Sequence, residues 1–553
     1  VSTATYWQPI DAFRRFAAAE PDRAAVIYPD GTTAAGTPDY RRITYRELDR
    51  WSDTIAERLT AAGVGSGTRT IVLVLPSPEL YAILFGLLKI GAVPVVIDPG
   101  MGVRRMVHCL RAVEAEAFIG IPQAHAVRVL FARSFRRVRT TLTVGRRWFW
   151  RGPTLGDWGR TPAGPLPERV PAAPEDLLII GFTTGSTGPA KAVELTHSNL
   201  AAMVEQVHAA RGNTPPDTSL ITLPLVGVLD LLLGSRCVLP PLIPSKVGST
   251  DPAQVVDAIR TFGVRTLFAS PAVLIPLLAH LRAHPVELST VASVFSGGAP
   301  VPDWCVAGLR EVLGPEAEIY AGYGSTEALP MSTIESRELL DGLVERARRG
   351  EGTCIGRPAD RVEVRLLAVT DDPVPSWDGV ESPRGPGAVG EIVVAGPNVS
   401  TRYYWPASAN AAGKIADGDR IWHRTGDLGW IDEQGRIWFC GRKSQRVRTA
   451  RGPMFTVQVE QVFNAVDGVA RSALVGVGSP GAQRPVLCVE LEPGADRTAT
   501  LTRLRTRATE FETVEPITEF LVHPRFPVDI RHNAKIGREQ LARWAAKQGE
   551  AKR

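Results

Sequence analysis

Nine consecutive residues, Thr183-Thr184-Gly185-Ser186-Thr187-Gly188-Pro189-Ala190-Lys191, combine hydroxyls, glycines and a closing lysine. Small residues let backbone N–H groups approach an oxyanion, hydroxyls add donors, and the lysine supplies a mobile positive charge. The apolar run Leu177–Phe182 before them reads as a buried strand, so the segment is expected to leave a strand end as a loop. Phosphate binding is the chemistry such a loop would do. It is not the P-loop of ordinary NTPases, which needs glycine directly before the lysine and Ser or Thr directly after it. Ala190 and Ala192 hold those places. A flexible polar surface loop would have the same composition, so the reading depends on what else the chain supplies.

Ser296-Gly297-Gly298-Ala299-Pro300 and Tyr323-Gly324-Ser325-Thr326-Glu327 follow downstream. Beyond them come Thr425-Gly426-Asp427, Gly441-Arg442-Lys443 and Asn533-Ala534-Lys535-Ile536-Gly537-Arg538. Taken singly, each has an ordinary reading. Glycine-rich turns are common, Glu327 and Asp427 suit turn or cap chemistry, and Lys535 suits a solvated helix end. His532 and His197 titrate near neutral pH and invite a catalytic role, but structural histidines are commoner.

The elements that must position these groups show in the hydrophobic pattern. Thr70–Leu75, Pro94–Asp98, Ala117–Ile121, Leu177–Phe182, Thr266–Ala269 and Val291–Ser296 are apolar runs of strand length. Amphipathic stretches such as Leu48–Ala62 and Pro252–Phe262 lie between several of them, an alternation that predicts α/β architecture with largely parallel sheets. Leu80 to Ile97, broken by Lys89 and Pro94, reads as a buried helix followed by a strand rather than a membrane span. Pro- and Gly-rich stretches at 151–176 and 371–390 read as long surface loops. A small β-rich unit is expected between Glu391 and Cys440, and a separate mixed α/β unit of about a hundred residues after Gly441.

At 553 residues the chain exceeds one ordinary core, and its 44% hydrophobic and 22% charged residues are those of a globular enzyme. A net charge of +5 at this length gives no reason to expect nucleic acid as a partner. One strip stands apart. Arg133, Arg136, Arg137, Arg139, Arg146, Arg147 and Arg151 interleave with Phe135, Trp148, Phe149 and Trp150. Such a strip could touch a membrane surface, a nucleotide or a partner protein, or be a solvated face with snorkelling arginines. Six scattered cysteines without a C-x-x-C pair indicate neither a disulfide framework nor a zinc site and fit a reducing, cytoplasmic setting. No signal peptide or transmembrane segment is expected.

In this order, the motifs resemble the ANL adenylating superfamily of acyl-CoA synthetases, adenylation domains and luciferases, over essentially the whole chain. The resemblance implies an α/β fold: a large N-terminal domain, residues 1–441, of two α/β subdomains and a small β-rich unit. A small mobile α+β C-terminal domain, residues 442–553, would follow and carry the catalytic lysine. It also implies ATP and Mg²⁺, joining of a carboxylate to the α-phosphate, and pyrophosphate release. Thr183, Thr184, Gly185, Ser186, Thr187, Gly188 and Lys191 would then hold the β- and γ-phosphates. Gly298, Ala299 and Pro300 would line the adenine slot, and Tyr323 would stack on the ring. Gly324 and Thr326 would contact nucleotide, and Glu327 would bind Mg²⁺. Asp427 would accept from the ribose hydroxyls with Arg442 nearby, and Lys535 would bridge the substrate carboxylate and α-phosphate.

Further segments are similar to the OleC-type β-lactone synthetases of olefin and β-lactone biosynthesis: Val95–Gly100, Phe118–Pro122, Gly352–Gly356, Phe439–Lys443, Gly476–Gly478, Pro485–Leu491 and Phe526–Glu539. That resemblance implies a lipid 2-alkyl-3-hydroxy acid as substrate, whose own hydroxyl displaces AMP, and assembly with other lipid-pathway enzymes. A tethered nucleophile has a high effective concentration and needs no CoA. Fatty acyl-CoA synthetase or acyl-AMP ligase activity shares the first half-reaction, and a non-catalytic nucleotide-binding scaffold is a third reading. Leu223–Gly234, aliphatic except for Asp230, could line an apolar pocket or be a buried helix or strand. Ala190 and Ala192 replace the Pro and Gly usual beside the loop lysine, and Ser444 stands at the hinge where Asp or Lys is usual.

Overall fold

The computed structural model describes residues 8–34, 36–161, 171–183, 190–211, 217–242, 248–527 and 536–550. Two large sheets carry the first four hundred residues. In one, Leu177–Phe182, Val93–Val96, Arg69–Leu73, Ala117–Gly120 and Thr140–Thr143 lie side by side and parallel. Ala192–Thr196 returns antiparallel beside Leu177–Phe182, and Tyr403–Trp405 closes that edge, pairing Tyr403 with Val193 and Trp405 with Ala192. In the other sheet six parallel strands run from Ala24–Thr32 to Glu318–Ser325, flanked by antiparallel strands at both ends.

The helices Tyr45–Ala61, Pro78–Lys89, His197–Ala210 and Pro224–Leu232 contribute to one core with residues from both sheets. The first begins three residues earlier than its apolar period suggests, because Thr44 and Glu47 form a capping box that satisfies the leading N–H groups. Lys89, the charge that interrupts the apolar run at 80–97, ends its buried helix between Asp49 at 2.5 Å and Asp53 at 2.6 Å. A buried ammonium is tolerable only when paired in this way. The strand before that helix, Arg69–Leu73, stops short of Leu75, which is half exposed.

The β-rich unit is an antiparallel sheet of Thr353–Cys354, Ile437–Arg442, Arg420–Ile431, Gly390–Ala395 and Glu363–Leu367, with Lys414–Asp417 beside Arg420–Ile431. Beyond Arg442 a three-stranded sheet, Val469–Val477, Arg484–Leu491 and Glu519–Val522, packs with helices Thr456–Asn464, Arg497–Ala508 and Arg538–Glu550 around two small cores of its own. It meets the rest through bonds such as Gln461 Nε2 to Thr353 Oγ1 at 2.8 Å and Arg507 to the Arg348 carbonyl at 2.9 Å. All six cysteines are buried and free. Among the described residues, no helix is long and apolar enough to cross a membrane.

Candidate active site

The loop lysine and its first threonine stand at the two feet of a β-hairpin. Thr183 N donates to the Lys191 carbonyl at 2.9 Å, and Lys191 N donates to Thr183 Oγ1 at 3.3 Å. Thr184, Gly185, Ser186, Thr187 and Gly188 lie outside the described residues. The two alanines have a packing reason. Ala190 and Ala192 are buried in a core with Phe182 and Trp405, and Ala192 is hemmed between Phe182 and Trp405 in the sheet. Their methyl groups fill space that glycine would leave open.

Thr326 reaches the same sheet from the other. A Cβ placed on Gly181 would lie 3.1 Å from its methyl carbon, so the bare glycine permits the approach. Thr326 and Glu327 form the turn joining Glu318–Ser325 to Ala328–Glu335, and Tyr323 lies near the end of the first of these strands. Parallel pairing of Ser296 with Ala321 sets the Gly298-Ala299-Pro300 turn beside Tyr323, and a positive φ of 82° makes glycine the residue for position 298. Ser296 Oγ is buried there with no hydrogen-bond partner among the described residues.

Asp427 and Arg442 are directly opposed in adjacent strands. The Tyr323 hydroxyl donates to Asp427 Oδ2 at 2.6 Å, and Arg442 Nε stands 3.4 Å from Oδ1. Oδ1 is buried without a hydrogen-bond donor among the described residues. Burial pushes the Asp427 carboxyl above its ordinary range, while Arg442 and Tyr323 pull it down. The Tyr323 phenol is raised by burial and by the facing carboxylate. Behind this pair, Glu391 accepts from Arg424 at 2.6 Å and from Lys443 at 2.8 Å, anchoring the strand end at Arg442. Ser444 follows, exposed, in a short 3₁₀ turn.

Glu327 is also buried, and its Oε1 accepts from the Tyr403 hydroxyl at 2.9 Å. Two ammonium groups, Lys191 and Lys414, each lie 4.9 Å from the centroid of the Tyr403 ring. Lys414 also donates to the Ser400 carbonyl, and Ser400 N donates to the Glu327 carbonyl at 2.7 Å. Burial pushes the Lys414 amine down to about 7; Glu327 opposes the fall and Lys191 adds to it. His423, edge-on to Tyr403 at 6.2 Å, is driven well below its ordinary value by burial and then by Lys414.

Sequence reasoning missed Tyr403 and Lys414. Tyr-Tyr-Trp reads as an ordinary strand, and no pattern marks which lysine is buried. Lys535 and His532 lie outside the described residues; Gly537 N, just beyond, donates to the Pro527 carbonyl at 2.7 Å. His197 is buried as the first residue of its helix. Leu223–Gly234 holds the helix Pro224–Leu232, whose Asp230 is paired with Arg211; Pro224 and Ile221 face a cavity of about 400 Å³.

A hydroxyl- and lysine-footed hairpin, tied through Tyr403 to the buried Glu327, and a second buried carboxylate, Asp427, beside Tyr323 and Arg442 are the site of a nucleotide-activating class of enzyme, and comparison with known proteins agrees. Residues 13–404 match the family of AMP-binding enzymes. The chain is 45% identical over 538 residues to the olefin β-lactone synthetase of Stenotrophomonas maltophilia (strain K279a), spanning 95% of this chain and 96% of that protein. It is 42% identical over 543 residues to the olefin β-lactone synthetase of Xanthomonas campestris pv. campestris, spanning 97% and 96%. The solved structure of the amide bond synthetase McbA from Marinactinospora thermotolerans shares the fold, with a TM-score of 0.77 at 23% identity across 97% of this chain and 99% of that one. The chain therefore belongs to the AMP-binding enzyme family, in its olefin β-lactone synthetase branch.

Proposed function

We propose that the protein uses ATP and Mg²⁺ to activate a 2-alkyl-3-hydroxy fatty acid as its acyl adenylate and then closes it to a β-lactone, releasing AMP. Identity of 45% and 42% over nearly full length to two olefin β-lactone synthetases supports the reading most directly. The residues present suit the nucleotide. Asp427 keeps one buried carboxylate oxygen, ion-paired with Arg442, without a hydrogen bond among the described residues, as a group meant for ribose hydroxyls would. Lys191 at the hairpin foot, with Thr183, would take phosphate oxygens. Glu327, a carboxylate oriented by Tyr403, suits a hard cation; bound there, Mg²⁺ would neutralise phosphate charge.

In the first half-reaction a carboxylate oxygen attacks the α-phosphorus and the bond to the pyrophosphate oxygen breaks. Lys535 would offset the charge that builds between carboxylate and α-phosphate, and Lys191 that on the departing phosphates. In the second, the 3-hydroxyl oxygen attacks the acyl carbon, its proton leaves, and the carbon–oxygen bond to AMP breaks. The net change in the acid is the loss of one water. Ring strain opposes closure, and the activated acyl phosphate offsets it. Residues 1–441 and 442–553 would act as separate domains in this scheme, with Ser444 at the hinge near their boundary; assembly with other lipid-pathway enzymes belongs to the same reading.

Incubation with ATP, Mg²⁺ and a 2-alkyl-3-hydroxy acid, with and without CoA, tests it. A product of substrate mass minus one water, formed without CoA, is expected. A thioester that appears only with CoA would overturn it in favour of a CoA ligase. Pyrophosphate release that survives Lys535→Ala would refute the lysine's role.

A further inference from the structure

Between Ala117 and Gly156 the chain holds eight arginines, no lysine and no carboxylate. That stretch carries +8 while the whole chain carries +5, so the remainder is net −3. Nine large hydrophobic side chains are exposed among the described residues, and four of them fall in this same stretch: Val129, Leu130, Trp148 and Phe149. Leu130 is 77% exposed, Phe149 72% and Trp148 51%.

Packing holds these side chains outward. Trp150 is buried, stacked on His125 at 5.2 Å and hydrogen-bonded through Nε1 to Thr143 Oγ1 at 2.9 Å. Trp148 and Phe149 lean on Trp150 at 5.6 and 5.2 Å, and His125 belongs to the helix Pro122–Leu130 that ends in Val129 and Leu130. The four exposed apolar groups are thus fixed to one buried spine. Around them Arg133, Arg136, Arg139, Arg146 and Arg151 are exposed, with no carboxylate partner among the described residues. Fixed aromatics among unpaired arginines match an anionic lipid surface, where apolar groups enter the headgroup layer and guanidiniums take phosphates.

We infer that residues 129–151 are a docking surface for an anionic phospholipid membrane. Within it, residues 146–151 follow the C-terminal end of the strand Thr140–Thr143, the same end of the sheet at which Leu177–Phe182 runs into its hairpin, while residues 129–139 precede that strand. Four strand spacings separate the two strand ends, roughly 19 Å, so a membrane that takes up Trp148 and Phe149 lies on the side where the acid is activated. A nucleic acid would be drawn by the arginines but gives no use to Leu130 and Val129. The preference for lipid leans on the fatty-acid reading above; vesicle binding is measured without substrate, so its failure and the failure of that reading are separate results.

The test is co-sedimentation of the full chain with phosphatidylglycerol-containing vesicles, with phosphatidylcholine vesicles, and with a single-stranded oligonucleotide as competitor. Binding to the anionic vesicles is expected, weakened by salt and absent on phosphatidylcholine. Arg146→Glu with Arg147→Glu is expected to lower vesicle partitioning by roughly 25-fold or more. Trp148→Ser with Phe149→Ser is expected to lower it about tenfold, since insertion needs the apolar groups. Both double variants should keep the parent's unfolding midpoint and its activity on detergent-dispersed substrate. No binding to anionic vesicles overturns the proposal, as does binding that the serine pair leaves unchanged. Oligonucleotide binding lost in the glutamate pair, with none to vesicles, would assign the surface to nucleic acid instead.

Discussion

The two buried carboxylates of the site are served in opposite ways. Asp427 has one oxygen bound to Tyr323 and the other ion-paired with Arg442 of the opposite strand but without a hydrogen bond among the described residues. Glu327 stands in cationic company: its tyrosine partner has Lys191 and Lys414 close to its ring, and its own carbonyl is tied to Ser400. The first cluster offers an acceptor to neutral hydroxyls. The second collects positive charge where phosphates and a metal would bring both signs together. A nucleotide needs both services, and the strand pairings keep them on separate elements that meet at residues 323–327.

Breaking the acceptor side should have the largest effect. Asp427→Ala is expected to lower kcat/KM for ATP by about a hundredfold or more, because a charged acceptor vanishes and Tyr323 loses its partner. Steady-state pyrophosphate release checks this; a loss under fivefold would mean the ribose is held elsewhere. On the cationic side, Tyr403→Phe keeps the ring beside the lysines and removes only the hydroxyl on Glu327. About a tenfold rise in the Mg²⁺ concentration for half-maximal rate is expected, with little change for the hydroxy acid. An unchanged Mg²⁺ requirement would show that the tyrosine does not orient the carboxylate.

Lys414 sharpens the contrast through pH. Its folded pKa is pushed down to about 7 from an ordinary 10.5. Between those values the unfolded chain binds the extra proton, so the parent's stability gains as pH rises; below about 7 both states are protonated and the cost of the buried charge stands in full. Lys414→Met should therefore show its most favourable urea midpoint, relative to the parent, near pH 6, with the difference shrinking toward pH 9. A difference that is flat with pH would mean the amine is not held in this way. Smallest of all, Ala192→Gly should cost about 1 kcal/mol of stability by adding chain freedom and removing a buried methyl. It should leave ATP affinity nearly unchanged; a large change in affinity would make the alanine part of the phosphate grip.

Much of this was legible before any coordinates. Leu177–Phe182 and Pro252–Phe262 are strand and helix with the boundaries their patterns give, because each is bracketed by strong stop signals. The Asp427 cluster was legible too, since each member sits in a contiguous motif. The Glu327 cluster was only half visible. Tyr403 reaches it through an edge strand whose partner is more than two hundred residues earlier, and Lys414 is one of many lysines and arginines until burial singles it out. The strip at 133–151 left open whether its aromatics faced in or out; only packing around Trp150 separates the buried indole from its exposed neighbours.

The short pairing of Tyr403–Trp405 with Ala192–Thr196 has a mechanical meaning. Lys191 is the residue before the first paired alanine, and Tyr403 is the residue that holds Glu327. Peeling that edge apart would withdraw the hairpin lysine and loosen the carboxylate in one motion. The phosphate side should thus behave as a latch with two positions, engaged or released as a whole. Amide exchange at Glu194, whose N–H donates to the Arg402 carbonyl across that edge, should slow when nucleotide is bound and quicken when it leaves.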